Sequence, residues 1–214
     1  MSPADTEGKI LAAAEEIFVQ KGMDGSRMHE IADRAGINKA LLHYYFRSKE
    51  KLFLRVFKLV FPRVLPKTLE IFMTDLPFQV KLEQFIDRYI TLISRNQQLP
   101  LFVIGELAKN PDAVIEVMKE TQEKLGGNLV EAIEKDIRRE IEKGTIIDID
   151  PRQLFVNVLS LCVFPFVGRP IITYIGFDNN DKSYDEFLNT RKKEVFEFVM
   201  RSITPEKVKN TNEK

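Results

Sequence analysis

Apolar residues recur every three to four positions through almost the whole chain and rarely alternate in the two-residue period of a strand, so the fold expected is all-α. Ile10, Ala14, Ile17 and Phe18 mark a first amphipathic helix through Lys21, with Gly22 as its stop. A short second helix over Arg27–Ala35 places Met28, Ile31, Ala32 and Ala35 on one side, and Gly36 breaks it. A third runs from about Asn38 to Phe46. Ser48 is placed to cap a fourth, striped by Leu52, Phe53, Val56, Phe57 and Val60, which Pro62 and Pro66 are expected to kink or end.

The remaining pattern predicts five more helices. Leu82, Phe85, Ile86, Tyr89, Ile90 and Ile93 outline the fifth, and Pro100 opens a short sixth through Ala108. Asn110-Pro111 is a cap followed by a first-turn proline, starting a long seventh helix from Val114 to Ile141, bent at Gly126-Gly127 and stopped by Gly144. Asp150-Pro151 repeats that signal before a segment apolar nearly all round, Leu154 to Val167. A polar loop, Asp178 to Ser183, precedes the last helix, with Phe187, Val195, Phe196, Phe198, Val199 and Ile203 on it; the charged tail from Thr204 should fray.

Three short N-terminal helices also suit a fragment of a bundle, but two details favour a nucleic-acid reader. The turn Ala35-Gly36-Ile37-Asn38 supplies a glycine free to take positive φ, an apolar plug and a capping side chain, as a steep helix crossing requires. In the third helix, Leu42 and Phe46 share the inner side above Ile37. The outer side then carries Ala40, Leu41, His43 and Tyr44, with Lys39 at its start and no acid, a surface suited to a groove lined by phosphates. Arg47, Lys49 and Lys51 follow, and Arg27 opens the second helix.

These residues carry a family resemblance. Phe18, Lys21-Gly22-Met23, His29-Glu30-Ile31-Ala32, Ala35-Gly36-Ile37-Asn38-Lys39, Leu42-His43-Tyr44-Tyr45-Phe46 and Ser48-Lys49-Glu50-Lys51-Leu52 resemble the tetracycline-repressor (TetR) family, nearly without gaps over Lys9–Phe57. The resemblance implies a helix-turn-helix DNA-binding domain (1–50), a helical effector-binding and dimerisation domain (51–204) and a charged tail (205–214). It implies a homodimer on a pseudo-palindromic operator, most simply a repressor released by a small effector. By position, Lys39, Ala40, Leu41 and His43 should lie nearest base edges, Tyr44, Tyr45 and Lys49 should hold phosphates, and His29 and Arg27 should approach from the second helix. Leu41 stands where the family commonly has a hydroxyl residue, which exchanges a hydrogen bond for contact with a thymine methyl; Met28 is read as packing.

The body is expected to pair through Leu161, Phe164, Phe187, Val195, Phe196 and Val199, because its last two helices are too apolar for one chain to cover. An effector cavity would draw on Phe72, Phe85, Tyr89, Phe102, Phe155 and Phe166; apolar faces expected to hold no basic residue point to a hydrophobic or neutral ligand.

Composition changes this picture little. The 214 residues are 44% hydrophobic and 30% charged, with zero formal net charge, so a basic reading head would have to be balanced by an acidic body. One cysteine, Cys162, admits no internal disulfide and fits a reducing compartment. The polar start is no signal peptide, and Asn157, Pro165, Gly168, Arg169 and Pro170 interrupt the most apolar stretch, so a cytoplasmic protein without membrane association is expected.

No enzyme, cofactor or metal is expected. His29-Glu30-Ile31-Ala32-Asp33 starts like a zinc-protease helix but has Asp33 where the second histidine belongs. Cys162 has no neighbouring base, Gly126-Gly127-Asn128 lacks a phosphate loop's lysine, and Lys182 and Ser183 spoil the calcium-loop likeness after Asp178. The competing class is a helical protein-interaction module that does not bind DNA.

Overall fold

The computed structural model describes residues 3–21, 23, 25–95, 97, 99–109 and 111–206. Gly22 and Asn110, read above as a helix stop and a cap, lie outside these, as does most of the charged tail. The fold is all-α. The described residues form α1 (Pro3–Lys21), α2 (Met28–Arg34), α3 (Lys39–Tyr45), α4 (Lys49–Leu69), a 3-10 turn (Glu70–Met73) and α5 (Phe78–Arg95). There follow α6 (Leu99–Lys109), α7 (Pro111–Leu125), α8 (Leu129–Glu142), α9 (Pro151–Val167), α10 (Arg169–Phe177) and α11 (Asp181–Ile203).

The chain gathers into two compact units, residues 1–65 with 96–121 and residues 66–95 with 122–214. In the first, Ile10, Ala14, Ile31, Leu42 and Leu52 are fully buried in one core, and Ile37 and Phe53 pack against it. Phe53 sets its ring edgewise on Phe18 at 4.7 Å and on Phe102 at 4.2 Å.

In the second unit α5 packs against α9 and α11, and α8 against α9. Phe85, Ile86 and Ile90 of α5 are fully buried, as are Cys162 of α9 and Tyr184 of α11. Lys81, on the same face of α5, is 3% exposed and donates to Asp136 of α8 at 2.5 Å. That corrects the expectation of apolar faces without basic residues: Lys81 lies three positions after Phe78 and four before Phe85, so the helical period carries it inward, and a carboxylate meets it there.

Four other expectations change. Of the two outcomes expected at Pro62 and Pro66, a kink or an end, the end does not occur: both lie inside α4, one turn apart, each removing one backbone donor while the flanking turns keep the helix. The seventh helix is two helices rather than one with a bend. Gly126 takes φ +69°, and Asn128 caps α8 by accepting from Val130 N and Glu131 N at 3.1 and 3.3 Å. The stretch after α9 forms a separate helix, α10, and α11 starts at Asp181, inside the expected loop, capped by Asn180.

Pro165 lies inside α9. Its missing N–H orphans the carbonyl of Leu161 one turn earlier, and Arg191 of α11 donates to that oxygen at 3.0 Å. Tyr184 of the same helix donates its hydroxyl to Pro165 O. The proline is thus stitched by two α11 side chains.

Candidate nucleic-acid interface

The turn into α3 is built as its sequence required. Gly36 takes φ +68°, the left-handed region that costs a side-chain-bearing residue roughly 1–2 kcal/mol. Ile37 tucks under the core, and the Asn38 side chain accepts from Leu41 N at 2.8 Å. Leu42 then drops into the core with no exposed surface, and Phe46 closes the end of the helix at 9% exposure.

This anchoring fixes what faces outward. Lys39, Ala40 and Leu41 are exposed, Tyr44 is 80% exposed, and His43 and Tyr45 are half-buried. The Tyr44 and Tyr45 rings meet edge to face at 5.6 Å, which holds two phenols beside one another. No residue of α3 is acidic. On α2, Arg27 occupies the cap position with extended backbone and an exposed side chain, and His29 is exposed. All nine residues expected at the DNA surface belong to the first unit.

Neighbouring carboxylates are held by cations. Lys21 donates to Glu30 at 3.1 Å, and this hydrogen bond, against the opposing cost of burial, holds the Glu30 carboxyl below its ordinary range. Glu16 is lowered in the same way by Arg34, whose Nε lies 2.8 Å from it. These pairs tie α1 to α2.

Lys49 has a partner the sequence did not announce. Its ammonium donates to Ser26 O at 3.2 Å, joining the start of α4 to the segment before α2. A backbone acceptor 23 residues away leaves no signal in residue type or period. The adjoining cap was legible: Ser48 Oγ accepts from Lys51 N at 3.3 Å.

The effector candidates fall in different places. Phe85 sits at the centre of a cluster in the second unit, with Phe72 at 5.1 Å, Tyr89 stacked at 5.4 Å and Phe155 at 6.2 Å. Burial pushes the Tyr89 hydroxyl up to about 12. Phe166 is buried in the same unit, whereas Phe102 belongs to the first, between Phe53 and Phe57. Of the candidate pairing residues, Phe164 is 60% exposed, and Leu161, Phe187 and Phe196 are half-buried. Val195 and Val199 are 1% and 2% exposed and fill the core of their own chain, because they share a face of α11 with Leu188 and Ile203.

Residues 10–56 match the family model of bacterial regulatory proteins, tetR family. The activator FasR of Mycolicibacterium smegmatis is 46% identical over 52 residues, a span that covers 24% of each chain. RutR, a transcriptional regulator of Escherichia coli K12, is 31% identical over 154 residues, covering 70% of this chain and 68% of RutR. The chain belongs to the TetR family of bacterial regulatory proteins. As in other TetR regulators, the helix-turn-helix is the DNA-binding part of a transcriptional regulator. The TetR fold extends beyond the head: the regulator FadR of Bacillus subtilis, solved with stearoyl-CoA, superimposes with a TM-score of 0.57 at 19% identity, covering 90% of this chain and 97% of FadR. Among the described residues no single helix is long and apolar enough to cross a membrane.

Proposed function

We propose that this regulator is a homodimer that represses by placing α3 of each subunit in successive major grooves of a two-fold symmetric operator, and that a hydrophobic effector releases it. The observation that carries the reading is the outer side of α3, exposed at Ala40 and Tyr44 and without a carboxylate. Lys39, Ala40, Leu41 and His43 meet base edges; Arg27, His29, Tyr44, Tyr45 and Lys49 hold the backbone. An aliphatic Leu41, 36% exposed, suits a thymine methyl.

The subunits pair through the outer sides of α9 and α11, where Phe164 and Phe198 stand 60% and 59% exposed. Leu161, Phe187 and Phe196 border that surface; Val195 and Val199 support it from within. The effector enters the second unit beside Phe72, Phe85, Tyr89, Phe155 and Phe166, where aromatic rings offer contact area and an un-ionised phenol offers one polar handle. A change in the distance between the two α3 helices from the required 34–36 Å then lowers affinity.

Selection of bound duplexes from random sequence tests the reading. A site with two-fold symmetry is expected; recovery of no preferred sequence, or of an unsymmetrical one, contradicts it. Hydrophobic acyl compounds should raise the thermal midpoint, since a ligand that binds only the folded state stabilises it, and an unchanged midpoint across such compounds would remove the effector class.

A further inference from the structure

A groove in the first unit begins at Tyr44 and Tyr45 and continues past the contacts assigned so far. It has a volume of about 440 Å³ and lies between the end of α3 and one face of α4. Tyr44, Tyr45, Arg47, Lys51, Arg55 and Lys58 give it its polar lining, and no described residue lining it is acidic. Lys51, Arg55 and Lys58 follow the i, i+4, i+7 spacing that stacks side chains on one helix face, a cationic stripe about 10 Å long at 1.5 Å per residue.

The four cations are not equivalent. Lys58 is paired with Glu116 at 2.7 Å, and Arg55 lies 3.7 Å from Glu7. Arg47 and Lys51 are exposed and have no ion-pair partner among the described residues. They are also the two nearest in sequence to Tyr44 and Tyr45, which belong both to the groove and to the outer side of α3. A concave surface with two uncompensated cations, two phenol donors and no acid is complementary to a row of phosphates, and its continuity with α3 says which row.

We propose that this groove seats the sugar–phosphate backbone of the operator just outside the base pairs that α3 reads, with Arg47 and Lys51 each holding one phosphate. The proposal rests on the DNA-binding reading of α3 and extends it: the regulator needs duplex beyond its recognised sequence, of any sequence, because phosphate contacts carry no base information. Arg55 and Lys58, each already matched to a carboxylate, end the track. Two phosphates per subunit add about 1.8 to the slope of log K against log salt, which is roughly a twelve-fold difference in affinity between 50 and 200 mM salt for each subunit bound.

The test uses the full chain and one selected site at two duplex lengths, one ending at the last base pair that shows preference and one extended on both sides by arbitrary sequence. The wild type should bind the extended duplex with the steeper salt slope, by about 1.8 per subunit. The double variant Arg47→Ala, Lys51→Ala should bind both lengths with equal slope and keep its sequence preference and thermal midpoint. The charge-conserving pair Arg47→Lys, Lys51→Arg should restore the length dependence. Equal slopes for the wild type on both lengths, with sequence preference intact, overturn the groove proposal alone, as does an undiminished difference in the alanine pair. Loss of sequence preference by the wild type on both lengths overturns the reading of α3 and this proposal with it.

Discussion

Leu42 and Tyr44 stand two positions apart and meet opposite fates, one fully buried and the other 80% exposed. At 100° per residue, two steps turn the side chain across the helix, so burying Leu42 and Phe46 forces Tyr44 out. Roles at this surface separate by measurement. His43→Ala should cost about 1–3 kcal/mol of discrimination between the selected site and a mismatched one, with little change on random DNA. Lys49→Ala should weaken binding to every sequence and lower the salt slope by about 0.9 per subunit. Equal behaviour of the two variants in anisotropy titrations would contradict the division. These outward residues were legible in the sequence because period and type agreed; the Lys49 bond to Ser26 O was not, since its acceptor is backbone.

Cys162 has no exposed surface, and burial lifts its thiol from 9.0 to about 12, against the opposing charge of Arg191. A raised folded-state value means that the stabilisation is complete below pH 9.0 and is lost as pH climbs through the folded value near 12. Denaturation midpoints should therefore begin to fall above pH 9.0 (Tyr89, also raised to about 12, acts in the same direction), and iodoacetamide should modify Cys162 only after unfolding. Rapid alkylation of the native protein would place the thiol elsewhere.

At the scale of elements, the helix boundaries show what period alone can and cannot reveal. The apolar stripe continues from Val114 to Ile141 across the break between α7 and α8, so the two read as one. The break lies in backbone chemistry, in Gly126 and the Asn128–Glu131 capping pair, whose side chains are 2.8 Å apart. α10 was hidden because its apolar residues continue those of α9, with only Gly168, Arg169 and Pro170 between. The Lys81–Asp136 bond joins α5 to α8 with both partners buried. Removing one partner strands a charge, so Asp136→Ala should destabilise the fold by about 3–5 kcal/mol in urea titrations, whereas Lys81→Met with Asp136→Leu should recover most of that loss. A mild effect of Asp136→Ala would mean that water reaches Lys81.

At the scale of the whole molecule, a neutral chain with 32 basic and 32 acidic residues gives no sign of a polyanion partner. The sign is local, in an acid-free helix beside a groove lined by four cations. The first unit joins residues 1–65 to residues 96–121, which follow α5 in the chain, and no linker composition marks that return. Phe164 at 60% exposure is the residue through which assembly is most open to test. Phe164→Asp should shift the protein from dimer to monomer in sedimentation and weaken operator binding, with the monomer still folded; an unchanged sedimentation coefficient would put the pairing surface elsewhere.

The most direct test of the account is a carboxylate set on the outer side of α3. Ala40 is exposed and takes no part in the core, so Ala40→Glu should leave the thermal midpoint unchanged while it lowers affinity for the selected duplex by more than about tenfold, or about 1.4 kcal/mol. Undiminished binding by a folded Ala40→Glu protein would mean that DNA meets some other surface.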